Sequence, residues 1–171
     1  MSGPQSTINT LTRQYLTFHL EKELYAVDVR NVREVLEVPR ITKIPRMPEF
    51  MKGVINLRGS VVPVIDLRLK LELPSAEQTE STSIIILEVL HKGQELQVGA
   101  FVDSVDEVVE IDEASIEPAP KFSTQINADF INGIGKMDEE FVIILNTFKV
   151  FSETELGILS AANDEAVPAE Q

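Results

Sequence analysis

The sequence repeats itself. AVDVRNVREVLEV at 26–38 aligns with GAFVDSVDEVVEI at 99–111 at an offset of 73, matching Val29 with Val102, Val32 with Val105, Glu34 with Glu107 and Val35 with Val108. Further on, FMKGVINLRGSVVPVIDLRLKL at 50–71 aligns with FINGIGKMDEEFVIILNTFKVF at 130–151 at an offset of 80. Here Phe50 meets Phe130, Gly53 meets Gly133, Val62 meets Val142, Val64 meets Ile144 and Asp66 meets Asn146. The seven extra residues fit a longer loop around 113–128 in the second copy. A period of this length means two copies of one small unit that bury their apolar faces against each other.

The pieces of that unit read as short strands. In YLTFHL, Leu16, Phe18 and Leu20 alternate with Thr17 and His19, and EKE turns the chain into LYAVDV, giving a hairpin. NVREVLEVP reads as one helical turn followed by a strand. GVINL and VVPVIDL form a tight hairpin, with Pro63 where a ladder partner is missing or at an edge or bulge. A helical turn fits RLKL. SIIILEVL and ELQVGAFV make another hairpin, VDEVVEI a further strand, and FINGIGKM and FVIILN the last pair. A helix is expected over Glu153 to Leu159, capped by Ser152 or Thr154. The polar run from Leu73 to Ser83 is a loop or a hinge between lobes. The expected class is all-β, two five-stranded lobes closed as small barrels so that few edges stay exposed.

Composition narrows the function. With 171 residues, 43% of them hydrophobic, the chain can bury a core, and with no cysteine it holds together by packing. The net charge of −13 opposes general binding to nucleic acid or to an anionic membrane. Residues 1–70 hold 11 basic and 7 acidic side chains, whereas 71–171 hold 4 and 21, a split expected to fall across the two repeated lobes, so that one end can present cations. No signal-peptide core or run of 18 apolar residues occurs, so a cytoplasmic protein without direct membrane insertion is expected. Residues 1–13 and 161–171 read as flexible segments around an ordered 14–160.

No catalytic constellation emerges. His19 lies on the polar register of a strand and His91 in a hairpin turn, both read as surface histidines. The acidic pairs Asp106/Glu107, Asp112/Glu113 and Glu139/Glu140 read as solvated charge. NGIGK is too short for a phosphate loop, and no serine sits in a nucleophile elbow. The expectation is a non-enzyme with no catalytic residue, cofactor or metal.

Recognition features remain. Arg58 occupies the tip of the 53–66 hairpin, where the second copy carries Asp138, Glu139 and Glu140, so equivalent tips bear opposite charge. An arginine on a short turn can present its fork to a partner, or simply stand exposed with Gly59 making the turn. The stripe Val29, Val32, Val35 is core or, where exposed, an apolar patch rimmed by Arg30, Arg33 and Glu34 that suits an amphipathic helix. Pro45, Pro48 and Gly53 bracket Met47, Phe50 and Met51 in a stiff crossing that could wall the same groove.

At these residues the chain resembles the CheW family of bacterial chemotaxis coupling proteins. FMKGVINLRGSVVPVIDLR at 50–68 carries the resemblance, YAVDVRNVREVLEV, FVDSVDEVVEI and IEPAPKF extend it, and it spans about residues 14–160. It implies two intertwined SH3-like five-stranded β-barrels with short helices and a C-terminal helix. It also implies a non-enzymatic adaptor joining the cytoplasmic tip of a methyl-accepting chemotaxis receptor to the regulatory domain of the histidine kinase CheA, recruited to membrane-associated receptor arrays. A CheW-like scaffold of a non-motility chemosensory pathway is the alternative. By that resemblance Val32, Glu34, Gly53 and Arg58 match receptor-binding positions, and Phe122 matches an aromatic used in kinase contacts. Val35 and Met51 join the receptor set from the groove argument.

Overall fold

The computed structural model describes residues 12–118 and 130–165. Its strands are β1 (Thr12–Leu20), β2 (Glu23–Asp28), β3 (Val32–Glu37), β4 (Met51–Leu57), β5 (Ser60–Asp66), β6 (Ser83–His91), β7 (Gln94–Val102), β8 (Ser104–Asp112), β9 (Ile131–Met137) and β10 (Glu140–Leu145). Single 3-10 turns cover Val29–Asn31 and Glu113–Ser115, and two α-helices are present, α1 (Leu67–Lys70) and α2 (Glu153–Glu165). One barrel has the strand order β8-β1-β2-β10-β9 and the other β3-β6-β7-β5-β4. The all-β expectation holds, and the two orders are the same unit related by the repeat.

Ladder register carries the offsets seen in sequence. Val64 lies beside Gly99 where β5 runs parallel to β7, and Ile144 lies beside Ala26 where β10 runs parallel to β2. The first pair of residues maps onto the second by 80 and 73. Asp66 N–H donates to Phe50 O at 2.7 Å, and its counterpart Asn146 N–H donates to Phe130 O at 2.8 Å. Pro63 stands one residue before β5 begins to pair with β7, so its missing N–H interrupts no parallel ladder.

The halves of the chain are not the barrels, which corrects the charge division made along the sequence. The N-terminal hairpin β1–β2 joins the last three strands, so one barrel is built from residues 32–102 and the other from both ends. Residues 32–102 hold nine basic and nine acidic side chains; the remainder hold six and nineteen. One barrel is therefore neutral and the other acidic. The 73–83 segment is not a hinge between them either, because it links α1 to β6 within the neutral barrel.

Central strands bury both faces, which explains the unbroken apolar run of β6. Ile84 and Ile86 enter the neutral barrel's own core, while Ile85 and Leu87 enter a core shared with Leu16, Phe18 and Leu20 of the acidic barrel. Helix α2 begins with a reciprocal cap: the Glu155 N–H donates to Ser152 Oγ at 3.1 Å, and the Ser152 N–H donates to Glu155 Oε1 at 2.9 Å. Leu156 and Leu159 then enter the shared core. The helix runs six residues past the Leu159 end expected from sequence, to Glu165.

Helix α1 ties the barrels together. Asp66 caps it, its carboxylate accepting from the Arg68 N–H at 3.0 Å. Arg68 Nε donates to Asp103 at 2.8 Å, and Arg68 also pairs with Glu21 in the β1–β2 turn at 3.5 Å. Two turns of charge meet there at the seam. Lys70, 8% exposed at its side chain, pairs with Glu155 at 3.4 Å and lies 4.4 Å from the Phe130 ring centre. The equivalent positions after β10 are Phe148 and Val150, so at these positions the second repeat carries no cation.

Candidate functional site

Strand β3 is an edge of its sheet and carries a bulge. Val32 pairs with Leu87 and Glu34 with Ile86, so Arg33 is the extra residue. The bulge puts Val32 and Val35 on one face although they are three residues apart. Val32 packs partly against the shared core, and Val35 is 42% exposed. The valine stripe is thus neither wholly core nor wholly surface. The same bulge recurs in β8, between Val105 and Val108, and Val108 is again exposed.

The turn joining β4 to β5 consists of Arg58 and Gly59, with φ of 51° and 91°. Two successive left-handed residues make the turn that matches strand twist, and glycine at the second lowers its cost. The Gly59 N–H donates to Asn56 Oδ1 at 2.8 Å, which fixes the tip. From there the Arg58 guanidinium reaches Glu34 on β3 through a forked contact whose longer limb is 3.4 Å. Since β3 and β4 are the two edges of the sheet, this ion pair closes the barrel at that end. The hydrogen bond from Arg58 holds the Glu34 carboxyl below its usual range, and Glu34 in return raises the Arg58 guanidinium. Both groups are on the surface, so a partner can share them.

Met51 and Gly53 play a different part. Met51 is buried in the shared core. Gly53 has φ of 146°, and a Cβ there would lie 2.2 Å from Thr42 O. Its bareness lets the 38–50 crossing lie against β4, where Thr42 N–H donates to Val54 O at 2.9 Å. These two residues are buried beneath the site, while Val35 and Arg58 are exposed and Val32 and Glu34 are half-buried, Glu34 on the face of β3 opposite the two valines. Phe122 lies outside the described residues.

At the acidic barrel's matching end the chemistry reverses. Asp138 replaces Arg58 and confronts β8, so Asp106, Glu107, Asp138, Glu139 and Glu140 line a pocket of about 350 Å³. No ion pair among the described residues closes that end across Glu107 and Asp138. His19, read as a surface histidine, instead meets Asp106 at 3.1 Å across β1 and β8. No group of three metal-ligating side chains gathers among the described residues, and no helix there is long and apolar enough to cross a membrane.

A family model described as the CheW-like domain matches residues 14–155. The chain belongs to the CheW-like family. It is 34% identical over 150 residues to the chemotaxis protein CheW of Klebsiella aerogenes, covering 88% of each chain. It is 32% identical over 155 residues to a probable chemotaxis protein CheW of Rhizobium etli, covering 91% of this chain and 97% of that one. Among solved structures, the scaffolding protein TtCheW from Thermoanaerobacter tengcongensis superposes with a TM-score of 0.74 at 41% identity, covering 83% of this chain and 89% of that one. CheW-like membership places the chain among chemotaxis scaffold and adaptor proteins.

Three contributors escaped the sequence reading. Asn56, Arg68 and Lys70 act through contacts made after folding. For Asn56 a signal existed, since an Asn three residues before a turn amide can accept its N–H. For Arg68 and Lys70 the signal was the contrast with Phe148 and Val150 at the aligned positions.

Proposed function

We propose that this chain couples the cytoplasmic signalling tips of chemoreceptors to the regulatory domain of the histidine kinase CheA, without covalent chemistry of its own. The observation that carries this is the Arg58 tip paired to Glu34 beside half-exposed Val35, present on one barrel and inverted in charge on the other. An apolar strip next to a paired but accessible guanidinium suits one face of an amphipathic receptor helix. Val32, Glu34, Val35 and Arg58 make the contact; Met51 and Gly53 hold the floor. Phe122 serves the kinase side, and the chain works in the cytoplasm at membrane-associated receptor arrays.

The test is reconstitution of receptor, kinase and this chain. Kinase output and assembly should depend on adding it, and Phe122→Ala should abolish ordered kinase assemblies without loss of receptor binding. Unchanged output and assembly with and without the chain would reject the proposal.

A further inference from the structure

Between β3 and β4 the chain crosses the neutral barrel in a ribbon at 38–50 with a burial period of three. Ile41, Ile44 and Met47 turn inward, the first onto the neutral barrel's own core and the other two onto the shared core. Arg40, Lys43 and Arg46, each one residue earlier, are exposed. A period of three is that of an extended polyproline-like strand, and Pro39, Pro45 and Pro48 enforce it. In such a strand every third residue points the same way, about 9 Å from the last, which aligns Arg40 with Lys43 before the chain turns at Arg46. The ribbon is pinned at Thr42, whose N–H and O both bond Val54, at 2.9 and 2.8 Å. At its far end, Pro45 and Arg46 form a turn in which Arg46 has φ of 65°.

The three cations are unclaimed within the fold. Among the described residues none of them joins an ion pair, whereas Arg13, Arg30, Arg33, Arg58, Arg68 and Lys70 all do. A chain of net charge −13 thus keeps three positive groups outside any ion pair, Arg40 and Lys43 on the stiff ribbon and Arg46 on the turn that ends it, where little ordering is needed to bind. Through Thr42 the ribbon abuts Gly53 in β4, the strand whose far end carries the Arg58 turn.

We propose that Arg40, Lys43 and Arg46 form a docking ladder for an acidic polypeptide, a helix with carboxylates along one face, and that this helix belongs to the receptor tip. The ladder sets partner choice and association rate, while the Val35 and Arg58 face supplies the short-range contact. Three charges on a strongly acidic protein are too few to hold a nucleic-acid polyanion. The second clause rests on the receptor reading above; the first does not.

The triple variant Arg40→Gln, Lys43→Gln, Arg46→Gln leaves every inward residue of the ribbon in place. In amide-resolved NMR titration, a designed helical peptide with glutamates on one face should perturb residues 39–47 of the wild type, and 0.5 M salt or the triple variant should remove the effect. Absence of perturbation in the wild type would overturn the ladder. By calorimetry, the triple variant should bind soluble receptor-tip helices about tenfold more weakly at low salt, with a shallower salt dependence. Equal affinities of wild type and variant for the receptor helices would overturn the assignment to the receptor. Wild type that binds the acidic peptide but not the receptor helices would reject the receptor reading and that assignment, leaving the acidic-partner ladder standing. Perturbation by an oligonucleotide of equal charge but not by the peptide would also overturn it.

Discussion

Arg58 and Asp138 occupy the same repeat position and the same left-handed backbone, φ 51° at each. One is paired to Glu34 across the open edge of its barrel; the other faces Glu107, the counterpart of Glu34, with no cation between them. The duplication kept the geometry and changed the charge. The seam shows the same split, since the repeat that ends in Arg68 and Lys70 reaches across to Asp103, Glu21 and Glu155, while its twin ends in Phe148 and Val150. A symmetric backbone has thus been given two unlike ends. An adaptor that must hold different partners at once needs that asymmetry.

The comparison breaks most visibly at the paired glycines. Gly53→Ala should cost about 2–4 kcal/mol in urea unfolding, because the new Cβ meets backbone and the φ is unfavourable for any other residue. Gly133→Ala should cost less, about 1–2 kcal/mol, because its φ is not left-handed and the nearest backbone atom, Glu117 O, stands 3.0 Å from the new Cβ, although Ile116 Cγ2 at 2.4 Å must move. Equal costs would mean that the two crossings are held alike.

At the seam, Arg68→Ala should cost about 1–2 kcal/mol, since Arg68 is 14% exposed at its side chain and its loss leaves Asp103 with the Glu21 amide but no ionic partner. Its twin Phe148→Ala should change stability by less than about 0.5 kcal/mol, because Phe148 is 56% exposed. Acid sharpens this. Burial pushes the Asp103 carboxyl up, but the bonds from Arg68 and the Glu21 amide outweigh it and hold it below its ordinary 3.8. A carboxyl so depressed adds stability above its unfolded pKa and loses it as pH falls through the folded value. The stability gap between wild type and Asp103→Asn should therefore be full at neutral pH and close below about pH 3.8 in circular dichroism melts. A gap that is flat with pH would show that the carboxylate's charge is not what Arg68 uses.

The smallest effect is expected at the acidic tip. Asp138→Arg restores there the charge pattern of the other end and should raise stability by about 0.5 kcal/mol through a new contact with Glu107. A loss of similar size would mean that the acidic pocket is not relieved by a cation.

Much of this architecture was visible in the sequence because the repeat preserves apolar register, and register decides which strands can face each other. Strand exchange was not visible. The parallel pairing of β2 with β10 joins residues near 25 to residues near 143, and no local pattern marks so distant a ladder. For the same reason the acidic and basic halves of the chain were mistaken for the two lobes. Arg58 was legible as a tip because Arg-Gly between two apolar runs is turn chemistry. Glu34 was legible as a rim charge of the valine stripe but not as the partner of Arg58, for their contact depends on how the two sheet edges close. Val35 and Met51 looked alike as apolar groove candidates; a bulge exposes one, and the shared core takes the other.

The central claim is that the Arg58 end docks the receptor and the Asp138 end does not. Calorimetry of receptor-tip helices against Arg58→Glu and Asp138→Arg tests it most directly, with circular dichroism confirming that both variants fold. Binding should be at least about tenfold weaker for Arg58→Glu and unchanged for Asp138→Arg. Wild-type affinity in Arg58→Glu, or an equal loss in both variants, would contradict it.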